Sequence, residues 1–273
     1  MSLEKTNDGE AFRKPPRLIS DWKLPKGVAR TQWEYISSES VAKNYDHSLY
    51  GTPLFSQDLD FFLTHCDKPG LTLDLGCGTG RLARRISPLG YRTIGIDLSD
   101  PMLDEFQKKA GNDPASGIIR ANMLDLSFLK NQVFEYVACL FSSFGMMLDS
   151  KDRLVMLQEV FRVLKPGGTL VLHVHNLWSA CRGQGGIIWV VADLMKRLVG
   201  VPGFGNKLMP THGAIHGLTL HLFSYREISK LLKLVGFQIE VIKPLFEMNQ
   251  DDLAPKFFKS LKAHGFMINA KKP

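Results

Sequence analysis

The alternation of apolar and polar positions between residues 71 and 176 predicts strands that alternate with helices. Short apolar runs typical of buried strands are separated by segments in which apolar residues recur every three or four positions, as along one face of a helix. The predicted strands cover residues 71–75, 91–97, 117–122, 134–141 and 169–175. Because helices separate consecutive strands, the pattern indicates an α/β fold with a doubly wound, mostly parallel sheet and helices on both faces.

Both flanks of this region carry further elements. Helical spacing begins near Trp33 and returns over residues 54–65, whereas the alternation stops after Asn176. An apolar helix is expected over residues 187–199, and three strands and one helix close the chain. Those last elements are the strands at 218–224, 237–245 and 266–273 and the helix at 225–237.

These patterns divide the chain into a polar N-terminal arm at residues 1–30 and a single domain at residues 31–273. The arm is rich in charged residues and proline, which favours a mobile arm or an extended strap. Within the domain we expect four consecutive parts. They are cap helices at 31–68, a core of strands and helices at 69–176, an insertion that covers the substrate at 177–217, and C-terminal strands with a helix at 218–273.

Composition places the chain among globular proteins. It has 273 residues, of which 44% are hydrophobic and 22% charged, enough for one large domain with a sizeable core. No uninterrupted apolar stretch reaches the roughly 18 residues of a membrane-spanning helix, and the N-terminal residues lack the apolar centre of a secretory signal. The cysteines Cys66, Cys77, Cys139 and Cys181 form no CxxC pair, which disfavours a disulfide framework and a zinc site and favours a reducing, cytoplasmic setting.

The net charge of +7 invites a nucleic-acid partner, but the distribution of the charge does not favour one. Residues 1–30 carry a net charge of +3, and residues 253–273 carry a net charge of +5. The stretch between them, residues 31–252, holds 22 basic and 23 acidic side chains. Because the body of the chain is nearly neutral, we expect a partner other than nucleic acid.

A glycine-rich turn follows the first strand of the predicted sheet. The strand leads into Gly76, Cys77, Gly78 and Gly80, and a helix begins directly after them. Glycines let the backbone approach a ligand closely, and the helix start offers unpaired N–H groups. Asp97 ends the next strand, 21 residues after Gly76, where an acid can accept hydrogen bonds from ribose hydroxyls. The sequence therefore predicts a nucleoside-containing ligand at the carboxyl edge of the sheet.

The spacing of these glycines and one acid indicate which nucleoside derivative binds. Dinucleotide-binding turns follow the pattern GxGxxG, whereas Gly76, Gly78 and Gly80 are separated by single residues. Asp74 lies two residues before the first glycine, where a carboxylate would attract a cationic ligand and repel a pyrophosphate. A cationic amino-acid nucleoside is therefore favoured over NAD.

Four motifs together resemble those of the class I S-adenosylmethionine-dependent methyltransferases. They are the octet LDLGCGTG at 73–80, Asp97, the pair Asn122 and Met123, and LKPGG at 164–168. The resemblance is strong between about residues 40 and 176 and looser at 220–273. It implies methyl transfer from S-adenosylmethionine, with S-adenosylhomocysteine as the product, and a seven-stranded sheet whose last strand is antiparallel.

The resemblance also implies contacts for the methionine part and the ribose of the cofactor. Asp74 and Gly76 are expected near the methionine amino group, and Asp97 is expected to hold the ribose hydroxyls. The backbone around Leu140 and Phe141 is expected to contact the methionine part. The turn that contains Cys77, Gly78 and Gly80 belongs to the same expected cofactor site.

The adenine contacts implied by the resemblance lie on the second and third strands. Leu98 and Met123 are expected to enclose the adenine, with Asn122 near its amino group. The family usually has aspartate at this position, but an amide oxygen can also accept from an amine. A helix at residues 41–50 resembles one that closes over the cofactor in many members, with Tyr45 or Tyr50 reaching in.

Histidines and one tyrosine are the candidate general bases. His173 and His175 project from one face of the fifth strand, and His175 lies at its carboxyl end, where ligands bind in open α/β sheets. His221 and Tyr225 flank the next strand and helix. We expect a catalytic role for His175, His221 and Tyr225 and no metal, because His173 and His175 lack a third ligand.

The identity of the acceptor is the least determined feature. The apolar residues at 187–199 either pack on the core or, alternatively, line a hydrophobic pocket or touch a membrane surface, which would imply a small apolar or aromatic acceptor. No Asn-Pro-Pro-Tyr or Asp-Pro-Pro-Tyr tetrad follows the fourth strand and no Pro-Cys nucleophile occurs, which disfavours methylation of nucleic-acid bases. The alternatives are a nicotinamide oxidoreductase, a nucleic-acid methyltransferase, and a non-catalytic protein that binds the cofactor or stabilises a partner. No pattern assigns an oligomeric state.

Overall fold

A computed structural model describes most of the chain. The described residues are 19–49, 54–111, 113–182, 185–209, 217–246 and 259–273. The predictions for the first part of the N-terminal arm and for Tyr50 lie outside them.

The strands of the described residues form one large sheet and one small one. They are β1 (Leu71–Leu75), β2 (Arg92–Asp97), β3 (Ser116–Arg120), β4 (Phe134–Cys139), β5 (Leu164–His175), β6 (Asn206–Leu208), β7 (Thr219–His221), β8 (Gln238–Leu245) and β9 (Gly265–Lys271). The large sheet has seven strands in the order β3-β2-β1-β4-β5-β9-β8. β9 is antiparallel to both of its neighbours, whereas the pairings among β1 to β5 are parallel. The predicted fold class is therefore confirmed.

Helices cover both faces of the large sheet. They are α1 (Arg30–Ile36), α2 (Glu39–Leu49), α3 (Leu54–His65), α4 (Arg81–Ile86), α5 (Asp100–Ala110), α6 (Ser150–Val163), α7 (Gly186–Leu198), α8 (Tyr225–Val235) and α9 (Lys259–Lys262). The alternation along β5 separates the two faces. Leu170 and Leu172 pack in a core with residues of α6 and α8, and Val171 packs on the opposite side with residues of α3 and α4.

Polar side chains start the helices that follow the strands. The Ser99 hydroxyl accepts a hydrogen bond from the backbone N–H of Met102 at 3.2 Å, which starts α5 directly after β2. The Asp149 carboxylate accepts from the N–H of Lys151 at 2.8 Å and starts α6. These caps fix the helix starts next to the carboxyl ends of the strands, where the candidate site lies.

Two predicted boundaries differ from the structure. The strand expected at 218–224 is shorter in the structure, where β7 covers Thr219–His221 and pairs with β6 in the small sheet. Helix α6 ends at Val163, and β5 begins at Leu164 instead of the predicted residue 169, so the Pro-Gly-Gly step at 166–168 lies within the strand. The step is held there because the N–H of Gly167 donates to the carbonyl of Lys272 at 2.8 Å.

Candidate functional site

The carboxyl ends of β1, β2 and β4 border two adjoining cavities. The larger has about 790 Å³ of empty space, its open mouth included, and the smaller has about 340 Å³. Tyr45, Gly76 and Gly78 line both cavities and join them. Together the cavities have the size of a site for a ligand with two chemically distinct parts.

The glycine turn forms the floor between the two cavities. It is tied to β2 because the backbone N–H groups of Gly76 and Cys77 both donate to the carbonyl of Ile96, at 2.8 and 3.1 Å. Gly78 has a φ of +54°, and a Cβ at this position would meet no atom within 4 Å. Its backbone is therefore open to a ligand.

Gly80 has a different role from the other glycines of the turn. It lines neither cavity, although it was predicted to hold the cofactor. A Cβ at Gly80 would lie 2.4 Å from a ring carbon of Phe106, and its φ is +77°. Only glycine fits where α4 begins against α5, so the structure gives Gly80 a packing role.

Asp97 lies in the wall of the larger cavity with a fixed orientation. Its Oδ2 accepts a hydrogen bond from the N–H of Gly78, and its Oδ1 accepts from the N–H of Ser99, both at 2.9 Å. Desolvation by burial raises the pKa of the Asp97 carboxyl, and the hydrogen bonds from these N–H groups oppose that increase. Each carboxylate oxygen has a second lone pair for a ligand hydroxyl.

Asp74 is a buried carboxyl in the wall of the smaller cavity, 3% exposed. Burial raises its pKa to about 7, Arg81 opposes the increase, and the carboxylates of Asp97 and Asp58 add to it. The guanidinium of Arg81 is already paired with Asp58, through N–O distances of 2.7 and 2.5 Å. A ligand cation beside Asp74 would stabilise its ionised form, which fits the ammonium group of S-adenosylmethionine.

The residues expected around the adenine also lie in the larger cavity. Leu98, Asn122 and Met123 all line it. The Asn122 amide makes two hydrogen bonds, because its Nδ2 donates to the carbonyl of Lys26 at 2.9 Å and its Oδ1 accepts from the N–H of Leu124 at 3.0 Å. Asn122 therefore fixes the N-terminal segment that lines the cavity, and its Oδ1 has one lone pair left for an amine.

Leu140 and Phe141 line the smaller cavity together with Cys77. Phe141 has a φ of +52° and the following Ser142 a φ of +63°, which are unfavourable values for residues with side chains. The Phe141 ring meets the Tyr45 ring edge-on, with the ring centroids 6.3 Å apart. Such backbone strain is frequent at ligand sites, and this instance lies where the methionine part was expected.

Helices α1 and α2 close over the cavities. The Ser99 hydroxyl donates to the carbonyl of Ile36 at 2.5 Å, which ties the end of α1 to β2. Asp46 on α2 accepts from the hydroxyl of Thr79 at 2.6 Å and from the guanidinium of Arg84 at 2.9 Å. These contacts place Tyr45 between the two cavities and join the cap to the glycine turn.

His175 and Tyr225 lie away from both cavities. The His175 backbone N–H donates to the Ser142 hydroxyl at 3.2 Å, but its ring lines neither cavity. Burial lowers the pKa of the His175 ring to about 4, and His264 adds to that effect. Tyr225 is 47% exposed at the start of α8, and its ring lies 6.0 Å from the ring of Phe266. Neither side chain lines a cavity, so the catalytic roles of His175 and Tyr225 stay predictions.

His221 belongs to a buried polar network beside the larger cavity. Its Nε2 lies 2.8 Å from an oxygen of Glu227, and its Nδ1 lies 2.9 Å from the amide oxygen of Asn206. Arg153 lies 3.8 Å from the same Glu227 oxygen and donates to the carbonyl of Met147, a cavity residue, at 2.7 Å. Burial lowers the pKa of His221 and Glu227 opposes that effect. His221 therefore contacts the cavity wall only through other residues.

Several cavity residues were not predicted as site residues. They are Gln32, Tyr35 and Ile36 on α1, Ser143, Met146 and Met147 after β4, and Arg81 at the start of α4. Arg81 could have been predicted as a cavity residue from the sequence, because it follows the glycine turn directly. Within the described part of the chain no cluster of histidine, cysteine and acidic side chains could hold a metal ion, and its four cysteines are free thiols.

Comparison with known proteins gives matches over the same region. A family described as a methyltransferase domain matches residues 72–168. The glycine/sarcosine N-methyltransferase of Parasynechococcus marenigrum is 27% identical over 252 residues, which cover 86% of this chain and 85% of that protein. The demethylmenaquinone methyltransferase of Lactiplantibacillus plantarum is 28% identical over 223 residues, which cover 73% of this chain and 85% of that protein. Another curated relative is 30% identical over 138 residues, and the chain spans about half of it, 55% of its length.

Solved structures share the fold. The 1,6-didemethyltoxoflavin-N1-methyltransferase of Burkholderia thailandensis, which holds its acceptor and S-adenosylhomocysteine, has a TM-score of 0.57 at 14% identity. The likeness covers 94% of this chain and 98% of that one. The matches give no support to the nicotinamide alternative. The methyltransferase-domain match covers residues 72–168, and together with the sheet and its antiparallel strand between β5 and β8 it supports a class I S-adenosylmethionine-dependent methyltransferase.

Proposed function

We propose that this chain transfers the methyl group of S-adenosylmethionine to a small apolar or aromatic acceptor bound in the larger cavity. The observation that carries the proposal is the chemistry of the cavity wall. Apart from Met123, which borders the adenine, three methionines line it with a valine and a leucine, namely Met102, Met146, Met147, Val28 and Leu124. Methionine side chains are flexible and polarizable, so this wall can adapt to flat or irregular apolar molecules.

The acidic residues hold the polar parts of the cofactor in this proposal. Asp97 accepts hydrogen bonds from the ribose hydroxyls, because its oxygens are fixed at the cavity wall by the N–H groups of Gly78 and Ser99. Asp74 binds the ammonium group, which compensates the burial of its carboxylate. Gly76 and Gly78 provide the close backbone approach between these two acids.

Apolar side chains hold the remaining parts of the cofactor. Leu98 and Met123 enclose the adenine, and Asn122 lies beside its amino group. The methionine part extends into the smaller cavity, past Leu140 and Phe141. Cys77 and Tyr45 complete the wall there.

When bound, the cofactor supplies an electrophilic methyl group on a sulfonium sulfur, so the protein has to align the acceptor and exclude water. The cap helices exclude water, since Ser99 and Asp46 bind them to the ends of β2 and β1. No histidine among the described residues lines either cavity, and burial raises the pKa of the phenols Tyr35 and Tyr45. The acceptor itself therefore supplies the nucleophile, and any proton that it releases reaches bulk water through the open mouth of the larger cavity.

The relatives act on two kinds of acceptor by their names, amino acids in one case and a demethylated quinone in the other. The methionine-rich wall favours the aromatic kind. We expect methyl-labelled S-adenosylmethionine to label a dihydroxylated aromatic compound at least about tenfold faster than glycine or sarcosine. An amino acid needs a cation to pair with its carboxylate, and the described residues of the larger cavity offer only the exposed Lys26 for that purpose. A preference for glycine would contradict the proposed acceptor class. Cofactor binding without any labelled product would favour the non-catalytic alternative.

A further inference from the structure

Helix α7 presents an apolar surface to solvent. Ile187, Ile188, Val191, Met195 and Leu198 are each more than half exposed, from 54% to 78%. Their spacing places them on one side of the helix, within about one quarter of its circumference. We call these five side chains the α7 apolar face. A contiguous exposed apolar patch on a folded helix marks an interaction surface.

The opposite side of α7 packs against other residues of the insertion and against Leu222. Val190 is buried in a cluster with Leu177, Ala180 and Leu222. Asp193 is also buried, and both of its carboxylate oxygens accept from the N–H of Gly205, at 2.7 and 2.9 Å. Because the helix is already fixed by this side, the α7 apolar face is available to a partner.

The charged residues near α7 in the sequence are mostly cations. Between residues 160 and 226 the sequence contains seven lysines and arginines, of which Arg162 and Lys165 pair with Glu159 and Glu135, and a single acid, the buried Asp193. Two of the cations, Lys196 and Arg197, lie exposed in the last turn of α7. Arg197 lies within electrostatic range of the Glu227 carboxylate, whereas Lys196 forms no ion pair among the described residues. An apolar face bordered by exposed cations complements a surface that is apolar inside and anionic at its boundary.

We propose that the α7 apolar face docks on the surface of an anionic lipid bilayer. The helix lies in the plane of the interface, with its apolar side chains among the acyl chains and Lys196 and Arg197 at the headgroups. None of the helices in the described ranges is both long enough and apolar enough to cross a bilayer. The contact is therefore peripheral.

A second copy of this chain fits the same face less well. A two-fold interface through α7 would place the surfaces of two identical helices together. Lys196 and Arg197 of both copies would then border one interface, and the exposed part of the helix has no acid to pair with them. Anionic headgroups supply that missing counter-charge.

The unit that carries α7 also borders the larger cavity. β6 follows α7 in the chain and pairs with β7, where Leu208 lies opposite Thr219. The carbonyl of Thr219 accepts a hydrogen bond at 3.3 Å from the amide of Gln32, a residue of the cavity wall. Docking through α7 would hold the acceptor cavity close to the bilayer. This inference goes beyond the proposed function and does not require it.

Flotation with lipid vesicles tests the proposal without cofactor or acceptor. The full chain is mixed with vesicles of phosphatidylcholine alone or with about one quarter phosphatidylglycerol. We expect binding to the anionic vesicles, reduced about tenfold or more by the double variant Ile188→Glu with Val191→Glu. Leu234→Glu on α8 is the matched control, since Leu234 is 68% exposed outside the face, and it should bind like the unaltered chain.

The charge contribution is tested separately. Lys196→Gln should weaken binding to the anionic vesicles about fivefold, and added salt should reduce that difference. Thermal unfolding checks that each variant is folded. Methyl transfer to a water-soluble acceptor without vesicles should be equal in the unaltered chain and the double variant, so a failure of docking is distinct from a failure of the enzyme.

Three results would overturn the proposal. The first is no binding of the unaltered chain to anionic vesicles at low salt. The second is equal binding by the folded double variant. The third is a dimer of the unaltered chain that the double variant dissociates while vesicle binding is absent, since the occupant would then be a second copy.

Discussion

The carboxyl edge of the sheet and helix α7 distribute charge and apolar surface in opposite ways. At the sheet edge Asp58 and Asp74 are 0% and 3% exposed, next to the guanidinium of Arg81. On α7, Ile188 and Leu198 are 77% and 78% exposed. Both regions depart from the usual arrangement, in which charges face water and large apolar side chains are buried.

The difference shows two separate ways in which function opposes stability. A buried carboxylate costs free energy unless a cation compensates it, so Asp74 points to a ligand that the protein encloses. An exposed apolar side chain costs solubility but almost no folding free energy, so Ile188 points to a surface that the protein approaches from outside. The cost of the buried carboxylate is present whenever the protein is folded. The cost of the exposed apolar side chain arises only when the protein meets other molecules.

The largest expected effect concerns the free energy of unfolding. Asp58→Asn removes the carboxylate partner of the guanidinium of Arg81, and we expect a loss of about 3 kcal/mol in chemical denaturation. Ile188→Asp on α7 should change the same quantity by less than about 0.5 kcal/mol, because its side chain lies in solvent. Equal losses at the two positions would remove the contrast between the regions.

The second effect concerns cofactor affinity. Asp97→Ala should weaken binding of S-adenosylmethionine at least about tenfold in calorimetry, because the ribose hydroxyls lose a charged acceptor. Asp100→Ala is the control, since Asp100 lies three residues further on and pairs with Arg120 at the surface. Unchanged affinity in Asp97→Ala would exclude the ribose contact.

The third effect is a pH dependence centred on Asp74. Its folded-state pKa of about 7 lies above the usual value of 3.8, so the folded protein binds this proton more tightly than the unfolded chain does. Stability without ligand should therefore fall as the pH rises from about 4 through 7, and Asp74→Asn should remove this part of the slope. Melting temperatures across that range measure it, and an unchanged slope in Asp74→Asn would locate the titration elsewhere.

The smallest effects are expected at the residues first considered as bases. His175→Gln and Tyr225→Phe should leave kcat within about twofold, because neither ring lines a cavity. His221→Gln should mainly lower stability, since it loses part of its contact with Glu227. A loss of about a hundredfold in kcat at unchanged stability would assign the base to that residue.

The fold was predictable where the signal is local. Strands β1 to β5 and the helices between them follow from the apolar spacing, and the turn after Leu75 follows from closely spaced glycines. The strand at 218–224 was predicted too long, and its partner was not predicted, because alternation indicates which side chains share a face but not which strand is the partner. β7 pairs with β6, a strand of only three residues that has no sequence signal of its own.

The site was predictable where its residues follow strand ends. Asp74 and Asp97 could be found because an acid beside a glycine turn or at the end of a buried strand rarely serves packing alone. Gln32 and Met147 could not, since one lies on a helix about forty residues earlier and the other resembles a core residue. His175 lies at the carboxyl end of β5 as predicted, but its ring lines neither cavity, so its catalytic role stays a prediction.

One amide on α1 has a consequence for the evolution of this chain. Gln32 donates through its Nε2 to the backbone carbonyls of Met146 and Thr219, which belong to the loop after β4 and to β7. Every amino acid offers such a carbonyl, so this contact constrains the side chain at position 32 but not the side chain at position 219, which lines neither cavity. Among homologues that keep this cap, glutamine at position 32 should vary less than the residue at position 219.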